Sequence, residues 1–316
     1  MQNELPSDKM TVAFRPAYLA LLEADELAAR AQLAYRHLED CDLCARYCHV
    51  NRRRTTQGTV CRTGERAVVH SFGAHHGEED PLRGTLGSGT IFFSWCNLRC
   101  VFCQNWEISQ KEIGREVEPE ELAGMMLALQ SQGCHNINLV TPSHVVAQII
   151  AALNIASQKG LHLPLVYNTS GYDSLEALKL LDGIIDIYMP DMKYGDSAIA
   201  RKYSRVRDYV EVNRAAMKEM HRQVGDLVLD QHGVARRGLL VRHLVLPAGL
   251  AGTEQVLAFL AHEISTNTYL NLMDQYYPCY RADEYPPFDR RVTAAEYRDA
   301  LVLTEKYVLR RLDRSY

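Results

Sequence analysis

Two hydrophobic periods alternate along this chain. Over 120–132, Leu122, Met125, Met126 and Leu129 recur at i, i+3, i+4 and i+7, and Gly133 closes the run, which predicts an amphipathic helix. Short apolar runs rich in β-branched and aromatic residues predict strands over 90–95, 136–140, 164–167, 184–189, 239–246 and 269–273. Helical periods fill the gaps at 145–158, from a capping pattern of Asp173 and Glu176 to Gly183, at 209–224, and after a cap at Thr253. Thr293 and Glu296 begin a long terminal helix. Strands alternating with helices predict the α/β class, with parallel strands in an open or partial (β/α)6 barrel. The first 85 residues differ: a helical segment over 16–38 leads into 41–66, which has no period and reads as a small metal-organised module. The expected layout is a helical, four-cysteine module over 1–85, a barrel over 86–280 and a helical extension over 281–316.

Composition narrows the function classes. With 47% hydrophobic and 23% charged residues, the 316-residue chain is globular. Its 35 Lys and Arg against 39 Asp and Glu leave a net charge of −4, so no basic field points to nucleic acid. The apolar stretch 145–156 is broken by Gln148 and Asn154 and is too short to span a membrane. Glu4, Asp8, Lys9 and Arg15 leave no apolar leader core in the first 16 residues, so a cytoplasmic location is expected. Seven of the nine cysteines fall in two clusters. An odd total of clustered thiols without a leader reads as metal ligands before disulfides.

The second cluster, Cys96-x3-Cys100-x2-Cys103, directly follows an apolar strand. Three thiolates on one tight loop can hold three irons of a 4Fe–4S cluster, and Cys134, beyond a helix, is poorly placed as the fourth. An iron left open can bind and activate a small molecule. A zinc knuckle lacking a ligand, or three buried cysteines, are the other readings of the same spacing. Ligands of parallel α/β folds collect at the carboxyl ends of strands. Those ends carry Cys96, then Thr141, Ser143 and His144, then Asn168 and Ser170, then Asp191 and Lys193, and finally Asp274 and Gln275, with Arg242 inside the fifth strand.

The cysteine spacing resembles the signature of the radical S-adenosylmethionine (SAM) superfamily, and the likeness extends over residues 88–280. It implies that Cys96, Cys100 and Cys103 are catalytic cluster ligands and that SAM chelates the open iron. One electron then cleaves SAM to methionine and a 5′-deoxyadenosyl radical, which abstracts a hydrogen atom. Within the superfamily the chain looks similar to the activating enzymes of glycyl-radical enzymes, the branch of pyruvate formate-lyase activating enzyme. Asn168-Thr-Ser170-Gly171 resembles that branch's SAM-contacting motif, and Asp191-Met-Lys193 its Asp-x-Lys motif, whose Lys faces the methionyl carboxylate. Arg242 matches its strand-five arginine, and Gln275 takes the place of an adenosyl-contacting residue. The branch's Gly-Gly-Glu is absent; Thr141-Pro-Ser143-His144 stands there, so SAM's amino group would meet backbone carbonyls or Ser143. The resemblance implies a protein or peptide substrate and a flavodoxin- or ferredoxin-type electron donor. A small-molecule substrate, or a non-catalytic iron–sulfur electron carrier, are the alternatives.

The first cluster, Cys41-x2-Cys44-x3-Cys48-x12-Cys61, supplies four thiolates, enough for an auxiliary 4Fe–4S cluster or a structural zinc. Either carries a charge of about −2, which Arg46, Arg52, Arg53, Arg54, Arg62 and Arg66 would offset against Asp42 and Glu65. Iron–sulfur is favoured, because the chain must be loaded with a cluster in any case. Cys134 reads as a packing residue. Cys279, Tyr276, Tyr277 and Tyr280 follow the last strand and either face a substrate or pack. His49 reads as a neighbour of the thiols, and His75 and His76 as loop residues without a ligand role.

Overall fold

The computed structural model describes residues 14–313; most of the N-terminal stretch 1–16, on which the expectation about a leader falls, lies outside them. Its strands are β1 (Ala67–His75), β2 (Ser88–Phe93), β3 (Arg115–Val117), β4 (Ile137–Val140), β5 (Leu165–Thr169), β6 (Ile187–Pro190), β7 (Val228–Leu229), β8 (Ala235–Leu244), β9 (Tyr269–Met273) and β10 (Arg311–Leu312). Its α-helices are α1 (Tyr18–Glu23), α2 (Glu26–Arg36), α3 (Asp80–Arg83), α4 (Trp106–Gln110), α5 (Pro119–Ser131), α6 (Val146–Gln158), α7 (Leu175–Leu181), α8 (Ser197–Ser204), α9 (Tyr209–Val224), α10 (Thr253–Phe259) and α11 (Ala294–Lys306).

One sheet runs β10-β9-β8-β6-β5-β4-β2-β1-β3, with β7 paired beside β8. The six strands β2, β4, β5, β6, β8 and β9 are parallel neighbours. They are the six expected from the sequence, and they form the partial barrel. β1 is antiparallel to both β2 and β3, and β10 is parallel to β9. Among the described residues β3 and β10 do not pair, so the barrel stays open.

The helices bury their apolar faces against the sheet, as their periodicity requires. Leu122, Met126 and Leu129 of α5 and Ile149, Ile150 and Leu153 of α6 are fully buried in one core. Helix α2 packs on α6. The segment expected as a single helix over 16–38 is two helices, because Asp25 takes a left-handed backbone (φ 56°) between α1 and α2.

Two caps differ from the sequence reading. Ser174, not Asp173, caps α7, accepting a hydrogen bond from Ala177 N. The Asp173 carboxylate is buried instead and accepts from Tyr167 Oη at 2.9 Å and Thr169 Oγ1 at 2.6 Å. Gly252, in a left-handed conformation, precedes α10, which frees the Thr253 hydroxyl for His243.

β1 escaped the sequence reading because His70, Ser71 and Gly73 dilute its alternation. Its turn back to β2 crosses the amino end of the parallel strands. There Leu82 of α3 packs with Val166, Ile187, Met189 and Leu240 and closes the barrel floor. Gly84 in this turn has φ +44°, and a Cβ on it would stand 2.5 Å from the His135 ring, so a side chain is excluded.

Candidate active site

The loop after β2 presents three sulfurs by a chain of local restraints. Trp95 takes φ 68°, its N–H bonds Ile108 O at 2.9 Å, and the chain then turns sharply through Cys96–Cys103. Leu98 N donates to Cys96 Sγ at 3.4 Å, Ser204 Oγ to Cys100 Sγ at 2.9 Å, and Ser109 Oγ lies 3.2 Å from Cys103 Sγ. Phe102 anchors the loop from beneath. Its ring stacks on Phe288 at 4.8 Å and meets Tyr276 and Tyr194 edge-on. Burial pushes the Cys96 thiol up to about 12 and the Cys103 thiol up to about 11, and raises Cys100 as well, while the Lys193 ammonium opposes each shift. Such thiols are protonated until a metal displaces the proton.

A cavity of about 350 Å³ joins these sulfurs to the strand ends. Cys96, Cys100, Cys103, Thr141, Asn168, Ser170, Asp191, Lys193, Arg242 and Gln275 all line it. A chain of charges crosses it. Lys193 Nζ pairs with Asp191 Oδ2 at 2.5 Å, and Arg242 Nε with Asp191 Oδ1 at 2.9 Å. Arg242 Nη2 also donates to Asn168 Oδ1 at 2.8 Å. Burial alone would raise the Asp191 carboxyl; the Arg242 guanidinium and the Lys193 ammonium outweigh it and hold the group below the ordinary range.

Ser143 and His144, expected among the SAM contacts, are not among the residues that line this cavity. Ser143 Oγ is fully buried against Thr169 Oγ1 at 2.9 Å. His144 is buried under the cysteine loop, where its Nε2 lies 3.0 Å from Ser94 O. Burial, aided by the charge of Arg52, holds His144 down to about 3, so it is neutral at physiological pH and supports the loop.

Other residues that set this geometry carried no signal in the sequence. Tyr209 Oη donates to Ser170 O at 2.9 Å and accepts from Lys193 N at 3.0 Å. Asn213 Nδ2 donates to Gly171 O at 2.9 Å and Asp191 O at 3.0 Å. These two side chains of α9 thereby tie the ends of β5 and β6 together. His243 Nδ1 donates to Met192 O at 2.6 Å, and its Nε2 takes the Thr253 hydroxyl at 3.0 Å. Only the pattern of helix-start residues at 209 and 213, one turn apart, could have suggested the α9 pair.

Gly171 is the tightest point of this knot. At φ +73°, an added Cβ would lie 2.2 Å from Asn213 Nδ2 and 2.3 Å from Asp191 O. Left-handed strain and the displaced hydrogen bonds together predict that Gly171→Ala destabilises the protein by about 3 kcal/mol. Chemical denaturation checks this; an unchanged midpoint would mean that Asn213 does not hold the strand ends.

The flanking aromatics and cysteines sort between packing and surface. Tyr276 is buried, donating to Phe288 O at 2.6 Å, whereas Tyr277 and Tyr280 are exposed. Cys134 is buried, and Cys279 is absent from the cavity lining. His75, read as a loop residue, ends β1 and lines the cavity.

Three of the four N-terminal cysteines, Cys41, Cys44 and Cys61, gather around Arg52, and Cys48 lies against Cys41. Arg52 is 2% exposed, and its guanidinium donates to Thr63 O at 2.7 Å, Gly64 O at 3.3 Å and Cys41 Sγ at 3.5 Å. Against burial, the sulfurs of Cys61, Cys41 and Cys44 keep Arg52 charged. The hydrogen bond from Cys48 and the Arg52 charge hold Cys41 down to about 5, with Cys48 raised in return. Arg46 Nε bonds Asn97 O at 2.7 Å and Arg99 bonds Val60 O, which clamps this loop to the Cys96 loop. Among the described residues no three His, Cys, Asp or Glu side chains are arranged to hold a single metal ion.

The model of the Radical SAM superfamily matches residues 90–232. The uncharacterized protein MJ0674 of Methanocaldococcus jannaschii is 31% identical over 299 residues, spanning 92% of this chain and 82% of that one. A second protein of that organism, the uncharacterized protein MJ0808, is 28% identical over 171 residues, 48% of this chain and 50% of its own. Among solved structures, a radical SAM methyltransferase from Sphaerobacter thermophilus superposes with a TM-score of 0.48 at 14% identity, over 71% of this chain and 66% of that one.

Proposed function

We propose, from the premise that this chain belongs to the Radical SAM superfamily, that it removes a hydrogen atom from a protein or peptide, in the manner of the activating enzymes. The observation that carries the reading is the convergence of three loop thiols with Asn168, Asp191, Lys193 and Arg242, from three strands, on one cavity. The residues fit the group: each sulfur already has a neighbouring N–H or O–H as a hydrogen-bond partner, as cluster ligands require. When bound, a 4Fe–4S cluster and SAM supply one-electron cleavage of the S–C5′ bond and hydrogen abstraction.

The chain's own part is binding and orientation. Cys96, Cys100 and Cys103 hold the cluster. Lys193 pairs with the methionyl carboxylate, and its backbone is fixed by Tyr209 from one side while His243 holds the preceding carbonyl. Arg242 and Asn168, hydrogen-bonded to each other, orient the remaining polar groups of SAM, with Thr141, Ser170 and Gln275 around them. The open barrel edge suits a polypeptide, and the reductant is a flavodoxin- or ferredoxin-type protein. No helix among the described residues is long and apolar enough to cross a membrane, and thiols of this kind stay reduced in the cytoplasm, where we place the enzyme. Anaerobically reconstituted protein, reduced with dithionite, should convert SAM to methionine and 5′-deoxyadenosine. A cluster that is reduced without forming 5′-deoxyadenosine would favour an electron carrier instead.

The N-terminal cysteines hold a second 4Fe–4S cluster in this reading. Its support is Arg52, a buried cation with no carboxylate partner among the described residues, whose counter-charges are sulfurs. Replacing Cys41, Cys44, Cys48 and Cys61 together should remove about four irons per chain. Loss of about one zinc would make the site structural, and unchanged metal content would remove it.

A further inference from the structure

The cavity has a second end. Opposite the cysteines it reaches Gly77, Glu78 and Glu79 in the turn that closes the barrel floor. Glu79 is 5% exposed; its Oε1 accepts from Asn271 Nδ2 at 3.0 Å and lies 3.9 Å from Arg242 Nη1, while its Oε2, beside the Glu78 carboxyl, has no N–H or hydroxyl partner among the described residues. Asn138 of β4 is fully buried behind Glu78 with its amide toward the Glu78 carboxyl, and its carboxamide oxygen has no partner among the described residues. Buried polar atoms are satisfied in nearly all native structures, so the unpartnered Glu79 Oε2, on a residue that lines the cavity, asks for a bound group.

Charge says which group. The cavity holds two fixed cations, Lys193 and Arg242, against three carboxyls, Asp191, Glu79 and Glu78. Asp191 takes Lys193 and shares Arg242 with Glu79, which leaves Glu78 with no ion-pair partner among the described residues except the His75 imidazole. Burial and the neighbouring Glu79 push Glu78 up to about 7; Arg242 and Asn138 oppose this, and His75 Nδ1 stands 3.5 Å away. At and above neutral pH, where Glu78 ionises, an anion is repelled here and a hydroxyl leaves its charge unbalanced.

We propose that Glu78 and Glu79, backed by Asn138 of β4, form a subsite for a protonated amine of the substrate. An ammonium brings three N–H donors, and Glu79 Oε2 and the two oxygens of the Glu78 carboxylate supply three acceptors. Held at the floor, the amine directs the rest of the substrate up the lumen toward the cysteine end. The subsite rests on the reading of that end as a SAM-cleaving centre. It deepens that reading by naming the chemistry of the substrate's far end, whether the amine is a lysyl side chain or a free small molecule.

The test is calorimetric titration of cluster-replete protein, with SAM present, using pentylammonium, pentanol and pentanoate. Pentylammonium should bind at least about tenfold more tightly than pentanol, and pentanoate more weakly than either. Glu78→Gln and Glu79→Gln should each reduce that preference about tenfold. Tighter binding of acetyl-Gly-Lys-Gly-amide than of pentylammonium assigns a polypeptide source, and the reverse a free amine; both support the subsite. Equal affinities for pentylammonium and pentanol on wild-type protein that binds SAM would overturn the subsite and leave the SAM reading standing. Wild-type protein that fails to bind SAM would overturn that reading first.

Discussion

Alanine at Cys96, Cys100 and Cys103 together should abolish SAM cleavage and the iron–sulfur absorbance that accompanies it. The effect is expected to be complete because the three sulfurs are the only cysteine sulfurs that line the cavity. Each is held by a different element: Cys96 by the Leu98 amide, Cys100 by Ser204 of α8, and Cys103 by Ser109 of α4. No thiol elsewhere can take over, since Cys134 is buried away from the cavity and Cys279 is outside its lining. Loss of the cluster should leave the fold standing, because Phe102 and its aromatic partners anchor the loop independently of the sulfurs. Anaerobic iron analysis, circular dichroism and assay for 5′-deoxyadenosine check all three statements. Reductive SAM cleavage by the triple variant would refute the assignment of the site.

Lys193→Met should weaken SAM binding about ten- to a hundredfold with the cluster retained. A charge-assisted hydrogen bond contributes about 1.5–3 kcal/mol, which converts to that range. Lys193 is suited to the role because its backbone is fixed by Tyr209 and its ammonium by Asp191, so little freedom is lost when a carboxylate arrives. The substitution leaves Asp191 paired with Arg242 at 2.9 Å, so no carboxylate is stranded in the barrel. Equilibrium binding to cluster-replete protein is the measurement. Unchanged affinity would take Lys193 out of the SAM site and weaken the positional argument for Asn168 and Arg242, which share its ion chain.

The lesson of strand ends is general but incomplete here. Asn168, Asp191, Lys193 and Arg242 line the cavity because parallel strands deliver their carboxyl ends to one side of the sheet. Ser143 and His144 occupy an equivalent place in the sequence, yet they turn into the core. Being near a strand end fixes which side of the sheet a residue serves, not whether its side chain faces the lumen.

By itself the sequence determined what depends on neighbours in the chain. The six parallel strands and the helices between them follow from periods of two and 3.6 residues, which a short window contains. The thiol triad is legible for the same reason, since Cys96, Cys100 and Cys103 share one loop of eight residues. The tertiary structure alone decided what depends on residues far apart in the chain. Tyr209 and Asn213 knot strand ends that precede them by some 20 to 40 residues. Arg46 and Arg99 join two cysteine loops that are separate in sequence. Glu78 and Glu79 become part of the cavity only because β1 pairs antiparallel with β2 and carries their turn under the barrel. None of these has a period or a motif. Their meaning lies in which buried charges and unpartnered polar atoms the closed sheet brings face to face, and that is set by packing rather than by local propensity.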